Sequence, residues 1–180
     1  MFISRKKDKL SRETIDKYLK AFEDAYLIKE VKRYDIKGCS YIRATKKYYF
    51  SDVGLRNARL DFTSLDMGQR IENIIYNELL VKGYQVKVGT FDQVEKNKEN
   101  KSVLKNYEVD FIACKGIDDF YLKVSDNIDI ETTKRRELAP FGFIRDANRK
   151  YLIINKPVSA MKLEGGIVLY GVVDFILNLH

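Results

Sequence analysis

Tyr107-Glu108-Val109-Asp110-Phe111-Ile112-Ala113-Cys114 reads as a buried strand that carries one embedded carboxylate, and that combination leaves the chain few ways to fold. An ionised carboxylate among apolar neighbours is costly unless a cation or hydrogen-bond donors meet it. Asp110 therefore needs a partner. A second apolar strand, Phe120-Tyr121-Leu122-Lys123-Val124-Ser125, follows closely and offers Lys123. Strand alternation puts Lys123 on one face with Tyr121 and Ser125. Backbone donors, Arg135 or Arg136 are the other partners open to Asp110.

Upstream, Ser11 reads as a helix N-cap with Glu13 in the first turn and a Leu10–Ile15 staple. Ile15, Leu19, Phe22 and Tyr26 then form one apolar face. The pattern changes to strand over residues 27–34, turns at 35–38 and returns through 46–50. After a connector beginning at Ser51, Asp66 and Gln69 form a capping box. The helix it opens buries Met67, Ile71, Ile74, Ile75 and Leu79, places Glu72 on the edge of that stripe, and ends at Gly83. Residues 84–88 are a strand, whereas 91–106 read as a long, mobile hairpin loop. A short helix over 131–138 stops before Pro140. Strands over 150–154 and 167–170 and a helix over 172–179 complete an α/β sandwich with a mixed sheet.

Charge is unevenly spread. Residues 1–60 hold 16 basic and 8 acidic side chains, while the remaining 17 basic and 18 acidic residues balance. A basic first third on a neutral body points to a polyanion, with double-stranded DNA the first candidate. The contacts fall to Lys17, Lys20, Lys29, Lys32, Arg33, Lys37 and Arg43, several of them on a two-stranded ribbon of the kind that follows the helices of a winged helix. Tyrosines 26, 34, 41, 48 and 49 read as core or ribbon packing, with base stacking the alternative. Two separated cysteines and one terminal His180 exclude a disulfide framework and a zinc site. The charged first ten residues and the short apolar run at 167–177, interrupted by Asp174, predict no membrane span and a reducing, cytoplasmic setting.

An acid on the first helix (Glu72), a second within a strand (Val109-Asp110-Phe111) and a third strand beside it resemble the PD-(D/E)xK restriction-endonuclease-like fold. That resemblance implies a mixed sheet flanked by helices over residues 61–180, preceded by a truncated winged-helix-like segment over 1–60. In that family the acids hold one or two divalent metals and a lysine serves the attacking water. The third motif departs from the pattern. Lys123 stands where the second acid belongs, Ser125 where the lysine belongs, and Val109 replaces the proline. Glu72 and Asp110 would hold magnesium or manganese only if the site were active, with Ser125, Asp126 or Glu78 as displaced ligand. Otherwise no cofactor is expected, and Lys123 takes the metal's place and neutralises both Asp110 and Glu72.

A second resemblance covers nearly the whole chain. Thr14-Ile15, Tyr18-Leu19, Ala25-Tyr26-Leu27-Ile28, Arg33 to Gly38, Lys47 to Ala58, Glu72 to Leu79, Glu108 to Ala113 and Glu131-Thr132 look like the carboxy-terminal region of a family of prokaryotic AAA-type ATPases. It implies an ATPase domain in cis, followed by a winged helix and a nuclease-like domain of unassigned function; with the basic first third, the reading is a DNA-binding or regulatory module, and packing on that ATPase domain is an alternative. No G-x-x-x-x-G-K-[ST] phosphate loop occurs in these residues, so the resemblance implies a carboxy-terminal piece or a shortened gene.

Overall fold

A computed structural model describes residues 11–59, 66–97, 99–126 and 131–179, with the side chains of 43–45 and 131–134 outside that description. Helix α1 (Arg12–Asp24) opens where Ser11 Oγ accepts the Thr14 N–H at 3.1 Å. Leu10, the other half of the expected staple, lies outside the described residues. β1 (Ile28–Asp35) and β2 (Ser40–Phe50) form an antiparallel hairpin. The connector expected after it is a short helix, α2 (Val53–Arg59), because Asp52 Oδ1 accepts the Leu55 N–H at 3.1 Å. α3 (Met67–Val81) is capped by Asp66, whose carboxylate accepts the Gln69 N–H. The box is only half closed, since the Gln69 side chain accepts from Arg56 at 3.0 Å instead. Gly83, at φ +84°, takes the left-handed turn that ends this helix.

β3 (Gln85–Lys96) and β4 (Ser102–Lys115) then run as one long hairpin, paired from Gln85–Cys114 out to Lys96–Ser102. The loop expected over 91–106 is thus mostly ladder. Its outer half lacks apolar alternation because polar cross-strand pairs hold it, among them Lys105–Glu95 at 2.9 Å and Asn106–Asp92 at 2.8 Å. Asn97 closes the turn, accepting the N–H groups of Glu99 and Lys101. After β5 (Asp118–Ser125), α4 (Glu131–Phe143) runs past the stop expected before Pro140, which lies inside it. Proline costs one helical hydrogen bond, and the buried Phe141 just beyond it favours continuation. β6 (Arg149–Ile154), β7 (Met161–Lys162), β8 (Ile167–Gly171) and α5 (Val172–Asn178) finish the chain.

The eight strands of the described residues lie in one mixed sheet, ordered β2-β1-β3-β4-β5-β6-β8-β7. β1 pairs with β3 in parallel, so the basic hairpin and the strands beyond residue 60 share one ladder. The boundary expected at 60/61 falls within residues outside the description. α3 and α5 cover one face over Ile75, Leu79, Phe111, Leu122 and Phe175. The other face packs Phe91, Val109, Tyr121 and Leu152 with Phe141 of α4 and Ile144 just beyond that helix.

Two expected faces are rotated. On α3, Met67 and Ile74 are exposed, while Tyr76 and Asn73 are buried with Ile71, Ile75 and Leu79. Asn73 turns inward because its amide grips Phe50, accepting its N–H at 2.9 Å and donating to its carbonyl at 2.7 Å. Tyr26 lies beyond α1 at φ +58° and is exposed, so it does not extend that helix's apolar face. No helix among the described residues is long and apolar enough to cross a membrane.

Candidate functional site

The sheet opens at Asp110 for two local reasons. Lys87 pairs with Ile112 and Gly89 with Val109, so Val88 faces both Asp110 and Phe111 across a bulge. On the other side, the β4–β5 ladder ends at Phe111–Leu122, although β5 continues beside β6 as far as Ser125–Ile154. The Asp110 carboxylate fills this fork. Its Oδ2 accepts the Val124 N–H at 2.6 Å, and Lys123 Nζ donates to Oδ1 at 3.2 Å. Lys123 also stands 3.4 Å from Glu137 Oε2 of α4.

Burial pushes the Asp110 carboxyl above its ordinary value, and Glu72 adds to this, against the pull of Lys123, the Val124 N–H and Lys47. Burial works against the Lys123 ammonium too, yet the carboxylates of Asp110 and Glu137 outweigh it and raise its pKa. Of the partners open to Asp110, Lys123 and one backbone donor are in place. Arg135 and Arg136 are exposed on α4, and Arg136 bonds Glu137.

Glu72 has a different cation from the expected one. Lys47 Nζ lies 2.5 Å from Glu72 Oε1, which also accepts the Tyr49 hydroxyl. Lys47 reaches on to Glu108 at 3.3 Å, and Glu108 pairs with Arg33 at 2.5 Å. Lys123 therefore neutralises Asp110 but not Glu72. The expectation that one lysine would serve both acids is corrected by the fork: Lys123 points toward Glu137 on the α4 side, while Glu72 hangs from α3. Tyr49 is fixed by stacking on Tyr76, with ring centroids 4.4 Å apart. Burial and then the Glu72 charge raise its phenol pKa, so it remains a donor. Burial raises Glu108, but Lys47 and Arg33 outweigh it and bring that carboxyl below its usual range.

The cluster holds four carboxylates (Glu72, Glu108, Asp110, Glu137) and three cations (Arg33, Lys47, Lys123), and every carboxylate meets at least one cation. A divalent metal between Glu72 and Asp110 would have to displace Lys123 from Asp110 Oδ1 and Lys47 from Glu72 Oε1, which also accepts the Tyr49 hydroxyl. These residues do not fit such an ion. Among the described residues no group of three His, Cys, Asp or Glu side chains is arranged to hold one. Ser125 is buried at the end of β5, Asp126 accepts from Asn155 at 3.0 Å, and Glu78 lies half-buried near the far end of α3.

The basic residues singled out for DNA are dispersed. Lys17 and Lys20 pair along α1 with Glu13 and Asp24, each at 2.9 Å. Lys29 is exposed. Lys32 lies over the Tyr41 ring, Arg33 belongs to the ion-pair chain, and Lys37 donates to Gln93 above Phe91. The Arg43 side chain lies outside the description. Sequence reasoning missed Lys47, Tyr49, Glu108 and Glu137 as members of the site. The spacing Lys47-x-Tyr49 does mark one strand face, but nothing local says that this face meets Glu72.

Residues 3–66 match a family model described as a domain of unknown function (DUF8612). Over 168 residues, 93% of the chain, the sequence is 35% identical to an uncharacterized protein of Haemophilus influenzae, of which it spans 38%. Over 139 residues, 74% of the chain, it is 35% identical to an uncharacterized protein of Methanocaldococcus jannaschii, of which it spans 27%. The chain thus spans well under half the length of these relatives. No solved structure gives a significant match.

Proposed function

We propose that this chain is a nuclease-derived, non-catalytic binding module: a PD-(D/E)xK restriction-endonuclease-like scaffold that forms the carboxy-terminal part of a prokaryotic AAA-type ATPase. In this reading it contacts double-stranded DNA through its basic first third and has a regulatory role. The observation that carries the loss of catalysis is Lys123 Nζ at 3.2 Å from Asp110, at the position where the resemblance puts an acid. Lys47 on Glu72 supports it, because the helix acid is likewise held by an ammonium. Removing the metal removes the charge that would stabilise a phosphodiester transition state.

The test is calorimetric titration of wild type and Lys123→Glu with manganese. Wild type should bind it no more tightly than bulk surface carboxylates do, and the variant should gain affinity. Wild-type nicking of a plasmid in manganese, abolished by Asp110→Asn, would restore the reading of an active metal-dependent nuclease. Duplex DNA binding should weaken steeply with salt if phosphates are the contact.

One observation favours a second reading, contact with the ATPase domain. Ile15, Tyr18 and Phe22 on α1 are exposed, beside a groove of about 440 Å³ lined by Leu19, Phe22, Leu27, Tyr48, Phe50 and Leu55. Salt-insensitive association of this chain with the separately expressed ATPase domain, abolished by Phe22→Ser, would support that reading over DNA contact.

A further inference from the structure

On the sheet face opposite the ion-pair chain, β1 and β2 place Tyr34 directly across from Tyr41, with the rings edge to face at 5.4 Å. Lys32 Nζ lies 5.6 Å from the centre of the Tyr41 ring. Lys87, reaching from β3, lies 4.8 Å from the Tyr34 ring and 5.5 Å from Tyr41. Strand alternation explains the grouping. Val31 and Val88 enter the core under α3, so Lys32, Tyr34 and Lys87 project the other way. Tyr34 packs against the second core and is held, whereas Tyr41 is 52% exposed. Neither lysine has a carboxylate within ion-pair reach among the described residues; their charges rest on aromatic rings. Lys32 is exposed and Lys87 half-buried, and a cation–π contact on a partly exposed ring is weak enough for a phosphate to take its place.

We propose that this face binds single-stranded nucleic acid, with a base stacking on Tyr41 and phosphates meeting Lys32 and Lys87. Two features select this occupant. Uncompensated ammonium groups call for an anion, and an exposed ring between them calls for a flat apolar partner. An unpaired nucleotide supplies both, whereas a duplex hides its base faces and an acidic peptide has no ring to stack. The inference goes beyond the reading of the fork and does not depend on it, since a stacking surface binds whether or not the other face cleaves.

The test is fluorescence anisotropy with a fluorescein-labelled oligodeoxythymidylate and the whole chain. Tyr41→Ala should weaken binding about tenfold, the usual scale for losing one stacked base, and Tyr41→Phe should retain it. Because Tyr41 is exposed, circular dichroism should show both variants folded. Lys32→Gln combined with Lys87→Gln should reduce the salt slope by roughly 0.7 for each phosphate that no longer meets an ammonium. The proposal is overturned if wild type does not bind at low salt, or if Tyr41→Ala binds as wild type does. Tighter, Tyr41-dependent binding of the matching duplex or of polyglutamate would equally overturn it. Manganese-dependent cleavage together with Tyr41-dependent oligonucleotide binding would remove the reading of the fork and leave this one standing, and the reverse result would do the opposite.

Discussion

Lys32 and Arg33 are adjacent on β1 and end in opposite electrostatic settings. Arg33 projects under α3, pairs with Glu108 and joins a chain that runs through Lys47 to Glu72. Lys32 projects from the other face onto a tyrosine ring. One face is internally neutralised and partly buried; on the other, Lys32 and Lys87 lie on tyrosine rings with no carboxylate within ion-pair reach among the described residues. The difference teaches that a basic stretch is not a single feature. Strand alternation divides it, and only the half without carboxylates opposite it can attract a polyanion.

The contrast breaks first at Lys123. Lys123→Met leaves Asp110 buried with no cation and Glu137 short of one, and should cost about 3–5 kcal/mol in urea denaturation. A loss below about 1 kcal/mol would mean that the fork is wetter than its burial implies. Lys47→Met should cost less, about 1–3 kcal/mol, because Glu72 keeps the Tyr49 hydroxyl and Glu108 keeps Arg33.

Next comes the response to pH. The folded pKa of Asp110 lies above its ordinary 3.8, so the unfolded chain releases that proton first as pH rises. Through the range just above 3.8 this residue therefore makes stability fall with rising pH. Glu108 has the opposite sign: its folded pKa lies below 4.5, so its contribution is present above that value and is lost as pH falls through the folded pKa. Denaturation curves collected across this range should lose their falling component in Asp110→Asn. An unchanged pH profile would show that Asp110 titrates normally.

The smallest effect is expected on the open face. Lys32→Gln should change stability by no more than about 0.5–1 kcal/mol, the scale of an exposed cation–π contact. Arg33→Gln, one residue from Lys32, should cost more than Lys32→Gln in the same thermal melt. Equal costs would erase the distinction between the faces.

Much of the frame was legible in the chain. Ser11 and Asp66 cap the helices they were expected to cap, and the strands at 107–114 and 120–125 lie within β4 and β5. The pairing of the outer β3–β4 hairpin was not legible, because a ladder held by Lys105–Glu95 and Asn106–Asp92 looks in sequence like a polar hairpin loop. The Asp110–Lys123 contact was among the alternatives open from the sequence; the Lys47–Glu72 contact was not. Lys47 lies 25 positions before Glu72, and it sits in a Lys46-Lys47 pair of which either member suits a solvated surface.

The order of residues by itself determined the periodicities, the caps and the need of one embedded carboxylate for a partner, because these depend on neighbours within a few positions. Tertiary structure alone decided which cation meets which acid. A bulge at Asp110, a ladder that stops at Phe111–Leu122 and a helix laid across the sheet set those distances, and no short run of residues records any of the three. Charges interact through space, and sequence separation carries almost no record of it.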